Sequence, residues 1–241
     1  MIEPSARAIN ARLVEDALVL DVGGWGQPFP RADWVLDLLP YETRGLYDYD
    51  RDTADERFTA DTWLQRDICD HEPWPFADDQ FDFAICSQTL EDIRDPIWVC
   101  HELQRVAKAG YIECPSRAAE QTWGVHGPWV GWSHHRWLVD VVDGVLRFAF
   151  KTAVLQVRDH YPYQWDERLR ADERVVTLWW EGGFAYEELQ FTEPEDLDRY
   201  LRAVGGHPPP PLQEDDTAPN ASERSALGRV RDRIRTARPR G

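Results

Sequence analysis

The stretch from residue 81 to residue 115 constrains the fold of this chain more than any other. Residues 81–86 form a short apolar run, which is typical of a buried strand. Asp95 then provides a helix N-cap and Pro96 a first helical residue, and an apolar pattern with helical spacing follows. Residues 111–114 form the next apolar run. A strand, a helix and a strand in this order predict two parallel strands joined by a right-handed crossover.

The same alternation extends toward the amino terminus. Residues 4–16 have the apolar spacing of a helix, and residues 17–21 form a buried strand that leads into a glycine turn. Residues 34–39 indicate a second strand and residues 63–68 a short third one. We expect Gly110 to end the helix that starts after the fourth strand, because glycine favours that position. Together these segments predict an α/β, Rossmann-like fold with a mostly parallel sheet.

The second half of the chain departs from this alternation. Residues 136–142 and 145–151 flank Asp143 and Gly144, which is the pattern of a β-hairpin with a type I′ turn. A second hairpin is expected within residues 175–189, around a pair of glycines. Antiparallel hairpins predict an antiparallel edge on the parallel sheet, together with an inserted lobe.

The pattern divides the chain into a domain, a linker and a tail. We assign residues 1–206 to the α/β domain and residues 117–151 within it to a lid that contains the Trp/His-rich segment and the first hairpin. Residues 207–223 form a Pro-rich polar linker, and residues 224–241 form a basic tail. Such a tail can contact an anionic membrane surface as an amphipathic helix, or it can be a solvated end.

Composition excludes several classes of protein. The formal net charge of −17 argues against a general nucleic-acid binder, because phosphates would be repelled. The four cysteines have no C-x-x-C spacing, so neither a zinc site nor a disulfide framework is expected. No apolar leader and no apolar run of membrane-spanning length is visible, so the expected location is the cytoplasm.

A series of landmarks in residues 66–117 points to one family. In chain order they are Asp67, the Trp-Pro-Phe run 74–76, Phe81 and Asp82, Leu90 and Glu91, Asp95 and Pro96, and the run Glu102–Gly110. Their order and spacing resemble the class I S-adenosylmethionine-dependent methyltransferase domain of small-molecule enzymes. In that family an Asp precedes an "LPF" segment, a "D-x-x-FD" turn, an "LEH" element, a "DP" pair and an "E-x-x-RVLKPGG" helix end.

The resemblance implies S-adenosylmethionine as the cofactor and methyl transfer to a small acceptor as the reaction. Asp21, Gly23 and Gly24 would lie against the methionine part, and Ser87 and Gln88 would face the sulfonium. The remaining three cofactor positions are Asp37 at the ribose hydroxyls, Asp67 at the adenine amine and Ile68 near the ring. An acidic residue after the second strand has the same ribose-binding role in dinucleotide folds.

The acceptor side is expected in the Trp- and His-rich segment that follows the last family-like strand. Trp132 offers an aromatic face for a sugar or a planar acceptor, and Arg136 a grip for a phosphate or carboxylate. His134 or His135 can act as the base that deprotonates an acceptor hydroxyl, and alternation along a strand lets only one of them face the pocket. O-methylation of a sugar, glycan or secondary metabolite is the preferred reaction. The alternative is a packed lid whose histidines bond to carbonyls.

Two further alternatives come from departures from the family pattern. Trp25 and Gln27 stand where the family has its second and third glycines, and two prolines leave little room for the first crossover helix. A non-catalytic binding or scaffold protein with the same fold is therefore one rival. A nicotinamide-dependent enzyme is another, although G-x-G-x-x-G is missing. A metal site that adds His126 to the two neighbouring histidines is disfavoured, because adjacent strand residues point apart.

Overall fold

The computed structural model describes residues 1–45, 53–125, 129–156 and 169–204. The strands of this part of the chain are β1 Val19–Val22, β2 Trp34–Asp37, β3 Trp63–Gln65, β4 Phe83–Ser87, β5 Ala109–Pro115, β6 Trp137–Val142, β7 Val145–Phe150, β8 Val175–Glu181 and β9 Ala185–Leu189. Its helices are α1 Glu3–Arg12, α2 Pro96–Val106, α3 Arg117–Glu120 and α4 Pro194–Arg202. None of the described helices is long and apolar enough to cross a membrane.

The central sheet has the order β3-β2-β1-β4-β5-β8. Its first five strands are parallel, and β8 pairs with β5 in the antiparallel sense. This confirms the predicted mostly parallel sheet with an antiparallel edge. The order reverses between β1 and β4, so the carboxyl ends of these two strands flank the crevice where open α/β sheets bind ligands.

The first predicted hairpin is present and belongs to a second sheet of order β6-β7-β9. Asp143 and Gly144 have φ of 53° and 78°, as a type I′ turn requires. One face of the hairpin packs Val139 and Phe148 into the core beside α2, and the other packs Leu138 against α4. The hairpin is therefore a packed layer in this structure, and the assignment of residues 117–151 as a lid stays a prediction.

The second predicted hairpin, within residues 175–189, is wrong. β8 joins the central sheet, whereas β9 pairs in parallel with β7 in the other sheet. Gly182 and Gly183 have positive φ, and the next residue, Phe184, donates its N–H to Gln104 Oε1 on α2 at 2.8 Å. This helix contact directs the chain from one sheet to the other, so the two strands never face each other.

The connection from β1 to β2 is short, as the two prolines in it predict. The connection from β1 to β2 contains no helix among the described residues, and Phe29 is buried in it. The prolines on either side of Phe29 therefore do shorten the crossover.

The predicted linker 207–223, the tail 224–241 and His126 lie outside the described residues.

Gly110 does not end a helix as predicted. Helix α2 ends at Val106, where Ala107 turns to an extended backbone, and Gly110 lies within β5. A Cβ added to Gly110 would lie 2.5 Å from the carbonyl oxygen of Ala84 and 2.5 Å from the ring of Trp180. Glycine is therefore required here by close packing between strands and not by a helix terminus.

Substitution of Gly110 separates these two roles. We expect Gly110→Asn to lower the free energy of unfolding by about 3 kcal/mol, because any Cβ overlaps a backbone oxygen that cannot move away. The control is Gly144→Asn, where nothing lies near an added Cβ and asparagine tolerates the left-handed backbone, with an expected change within about 0.5 kcal/mol. Urea denaturation measures both, and equal losses would contradict the packing role.

Candidate cofactor and acceptor site

The carboxyl edge of the central sheet brings together most of the polar residues predicted for the cofactor. Asp21 lies in β1, Asp37 ends β2 and Ser87 ends β4. Because these strands are parallel neighbours in the sheet, their ends meet at one edge. The edge is also where the strand order reverses, so the predicted cofactor residues lie at the expected crevice.

Asp37 is held by the backbone in a way that leaves it able to bind a diol. Its Oδ1 accepts the N–H of Leu39 at 2.8 Å, and its Oδ2 accepts the N–H of Trp25 at 3.0 Å. Each carboxylate oxygen has about two acceptor positions, so each retains one for a ribose hydroxyl. Burial raises the pKa of Asp37, and the backbone N–H groups of Leu39, Trp25 and Leu38 oppose that effect. These contacts fit the ribose role.

Asp21 is more deeply buried than Asp37. It is 3% exposed, and its Oδ2 accepts the N–H of Phe29 at 2.8 Å. Burial, with a smaller contribution from the charge of Asp37, raises the pKa of Asp21 to about 7, although the Phe29 N–H opposes the rise. A Cβ on Gly24 would overlap the Asp21 carboxylate, so glycine at position 24 makes room for this side chain.

The glycine turn after β1 is filled by the protein itself. Gly23 has a φ of 76°, and a Cβ added to it would overlap the side chain of Thr89. The Thr89 hydroxyl donates to carbonyl oxygens nearby, at 3.1 Å to Ser87 and 3.3 Å to Gly23. The open space expected of a glycine turn is thus occupied by Thr89 and Asp21. Contact of Gly23 and Gly24 with a cofactor stays a prediction.

The adenine positions lie after β3. Asp67 Oδ1 accepts the N–H of Cys69 at 2.9 Å, and its Oδ2 is paired with the guanidinium of Arg94. Burial raises the pKa of Asp67, but the hydrogen bonds from Arg94 and from the Cys69 N–H, together with the Arg94 charge, outweigh burial, so the net pKa is lowered. Ile68 is buried in the core beside α2. An adenine amine would therefore share Asp67 with Arg94.

Ser87 and Gln88 turn toward a residue that the sequence analysis missed. Gln88 has a φ of 55°, and its Nε2 donates to Glu113 Oε1 at 3.2 Å, while Ser87 Oγ lies 3.4 Å from the same oxygen. Glu113 is fully buried and also accepts the N–H of Ile2 at 2.9 Å and the hydroxyl of Tyr111 at 2.7 Å. A carboxylate inside an apolar strand was the signal available in the sequence.

The predicted acceptor segment contains a buried charge network centred on Glu120. Glu120 binds His135 Nδ1 through Oε1, and it accepts from Lys151 Nζ at 2.7 Å through Oε2. Lys151 Nζ also donates to the Trp132 carbonyl at 2.7 Å, and the His135 ring stacks on Trp132 with centroids 5.2 Å apart. Because a carboxylate binds Nδ1, that nitrogen carries the proton and Nε2 is left with the lone pair.

Backbone hydrogen bonds hold this network against the carboxyl edge of the sheet. The N–H groups of Arg136 and Trp137 both donate to the carbonyl of Glu91, at 2.7 and 3.0 Å. Glu91 follows β4, and its carboxyl group is 1% exposed, with Oε1 3.9 Å from His135 Nε2. Burial raises the pKa of Glu91 to about 7. Glu91, Glu120 and Lys151 were missed as site residues, although Glu91 stands in the "LEH" landmark.

The structure separates the two predicted histidines. The His135 side chain is 8% exposed, whereas His134 and Arg136 lie exposed at the surface beside it. The His134 and His135 rings meet edge to face, with centroids 4.5 Å apart. Among the residues that the structure describes, no group of three or more histidines, cysteines or carboxylates is arranged to hold a metal ion. The geometry therefore favours His135 over His134 as the base.

The network predicts a large penalty for removing one partner. We expect Glu120→Gln to lower the free energy of unfolding by about 3–5 kcal/mol, because it leaves the buried Lys151 without a counter-charge. The matched control is Glu187→Gln, which removes an exposed ion pair with Arg147 and should cost at most about 1 kcal/mol. Urea denaturation measures both, and similar small losses would mean that Lys151 is not dependent on Glu120.

The raised pKa of Asp21 predicts that the free energy of unfolding depends on pH. The unfolded chain loses the Asp21 proton near 3.8 and the folded chain only near 7, so this group destabilises the fold progressively as the pH rises between these values. Asp21→Asn should therefore gain stability relative to the parent protein by about 4 kcal/mol across that range. Asp82→Asn is the opposite-sign control, because Lys108 lowers the pKa of Asp82. Urea denaturation at several pH values measures the difference in unfolding free energy between each variant and the parent protein. A difference for Asp21→Asn that does not change with pH would contradict the raised pKa of Asp21.

Comparison with known proteins agrees with the geometry. Residues 46–112 match the family model described as a methyltransferase domain, and no curated protein matches the chain. An S-adenosylmethionine-dependent methyltransferase from Aquifex aeolicus is 19% identical over 48% of this chain and 65% of its own, with a TM-score of 0.36. One from Mesorhizobium loti is 16% identical over 61% of this chain and 62% of its own, also with a TM-score of 0.36.

The chain thus spans less than two thirds of either solved protein, and the matched segment is where the identification rests. That segment contains β4 and α2 together with Asp67 and Glu91. Residues 46–112 are therefore similar to a methyltransferase domain, and most of the sequence landmarks lie in this segment.

Proposed function

We propose that this protein transfers the methyl group of S-adenosylmethionine to a hydroxyl of a small acceptor. The observation that carries the proposal is the position of the His135–Glu120 pair. Backbone hydrogen bonds from the residues after His135 to Glu91 hold that pair at the sheet edge where Asp37 has free acceptor positions. A ribose-binding carboxylate and a buried base at one edge are what such a transfer requires.

The chain offers a partial cradle for the cofactor. Asp37 would accept the ribose hydroxyls and Asp67 the adenine amine, while the buried Asp21 supports the turn between them. When bound, the cofactor supplies an electrophilic methyl group on its sulfonium. The contribution of the protein is to position the two reactants in line and to exclude water from them.

His135 is suited to take the proton that the acceptor hydroxyl loses. Glu120 fixes the tautomer, so the lone pair of Nε2 is available to the acceptor. Trp132, stacked on His135, adds an aromatic face that suits a sugar ring or a planar metabolite. These features favour O-methylation of a sugar, glycan or secondary metabolite. The basic tail 224–241 could bring a membrane-linked acceptor near, and it lies outside the described residues.

A second candidate is a non-catalytic protein with the same fold. The observation that favours it is the filled glycine turn, in which Thr89 and Asp21 occupy the space next to Gly23 and Gly24. For the methionine part of the cofactor to contact these glycines, Thr89 would have to adopt another rotamer. Cofactor affinity distinguishes the two candidates.

Calorimetric titration with S-adenosylmethionine and S-adenosylhomocysteine tests the proposal. We expect micromolar binding that Asp37→Asn weakens at least about tenfold, or 1.4 kcal/mol, because the variant cannot accept both ribose hydroxyls equally. The control is Asp33→Asn, which changes a carboxylate at the opposite end of β2 that caps Val19, and its affinity should match the parent protein. Absence of binding to folded protein would reject the methyltransferase function and favour the scaffold.

A further inference from the structure

One carboxyl oxygen of the buried Glu91 has no role in the contacts described so far. Glu91 is 1% exposed, and its Oε2 has no hydrogen-bond partner among the residues that the structure describes. An unpaired buried carboxyl oxygen is costly, since it has lost its hydration without gaining a donor. A proton or a donor group is therefore expected at this oxygen during the working cycle of the protein.

The only titratable ring close to Glu91 among the described residues is that of His135, and its free nitrogen faces the carboxyl group. Glu120 holds the Nδ1 proton of His135, so the Nε2 lone pair points toward Glu91 across 3.9 Å. This distance is too long for a direct hydrogen bond, but it leaves room for one bridging group that bonds to both atoms. A water molecule or an acceptor hydroxyl bridging the two atoms would give Nε2 and Oε1 a partner, and a proton on the carboxyl group would satisfy Oε2.

We propose that Glu91 receives, through His135, the proton that the acceptor hydroxyl loses. The acceptor O–H bond breaks as the new O–CH3 bond forms, and the methyl–sulfur bond of the cofactor breaks at the same time. The proton moves to His135 Nε2 and from there to a Glu91 oxygen, so the imidazole returns to its starting form. Glu120 acts as a positioning residue that fixes the ring. This inference rests on the proposed function, because it concerns the same acceptor.

The charges around Glu91 suit a group that exchanges a proton near neutrality. Burial is the main cause that raises the pKa of Glu91 to about 7. His135 and a hydrogen bond with the Cys114 thiol oppose the rise, and the charge of Glu120 adds to it. Burial also raises the pKa of the Cys114 thiol well above its ordinary value. Lys151 is bound to Glu120 and balances that charge. Glu91 is thus a buried carboxyl group of this network with a pKa raised to about 7.

Titration of the Glu91 carboxyl group tests the pairing without any acceptor. The protein is labelled with 13C at the glutamate side-chain carboxyl, and the Glu91 signal is assigned by its loss in Glu91→Gln. We expect a midpoint near 7 in the parent protein. His135→Gln should raise that midpoint, because His135 lowers the pKa of Glu91 and the variant loses this contribution. His71→Gln is the matched control, since this exposed histidine pairs with Asp95 elsewhere and should leave the midpoint unchanged.

The results separate this inference from the proposed function. The relay is overturned if the Glu91 carboxyl group titrates in the range of an ordinary glutamate, or if His135→Gln does not move its midpoint. Either result counts even if S-adenosylhomocysteine binds normally. A shifted midpoint in protein that binds neither cofactor form would support the pair but reject methyl transfer. Circular dichroism of both variants verifies that they are folded.

The pH profile of turnover gives the second measurement, which a structural role would not move. With any hydroxyl acceptor that yields S-adenosylhomocysteine, the rate should rise with pH through about 7 as Glu91 becomes a free carboxylate. Glu91→Gln should lose this limb and lower kcat about a hundredfold, at the low end for general base catalysis, with little change in KM. An unchanged profile would overturn the relay.

Discussion

The need to partner buried carboxylates organises the carboxyl edge of this protein. Glu113 and Glu120 are fully buried, and each is satisfied by donors from distant parts of the chain. Because a buried charge without partners costs several kcal/mol, these contacts hold the amino-terminal helix and the second sheet in place around the edge. Glu91 is the exception, because its Oε2 has no hydrogen-bond partner among the described residues. Stability and chemistry therefore depend on the same set of acidic side chains.

The glycine turn shows how a family pattern can change while the sheet is kept. Gly23 and Gly24 are retained, and they now accommodate Thr89 and Asp21 instead of leaving open space. The loss of the first crossover helix is matched by a short connection with a buried Phe29. The parallel strands do not depend on that helix, since they are paired to one another by backbone hydrogen bonds and covered by α1 on the same face. A divergent turn is thus compatible with an intact sheet.

Local and long-range signals had different predictive value. The Asp143–Gly144 turn was predictable, because two residues that tolerate positive φ between apolar runs leave few other structures. The Gly182–Gly183 pair looks similar in sequence but joins two sheets, because Phe184 is bound by Gln104 of α2. Gly110 was assigned to a helix end because glycine favours that position, but its actual constraint is the Ala84 carbonyl on the neighbouring strand. In both cases the deciding atom belongs to a residue far away in the chain.

The sequence by itself determined the alternation of strands and helices, the type I′ hairpin and the order of the methyltransferase landmarks, because these depend on spacing and local backbone preference. It also placed Asp37 and His135 among the candidate site residues, through the family pattern and the histidine cluster. Only the tertiary structure decided which groups they meet. Glu120 binds His135 and Lys151, which are 15 and 31 residues away, and Glu113 accepts from Ile2 at a separation of 111 residues. Such pairings are set by how the sheets pack, and spacing along the chain carries no record of them.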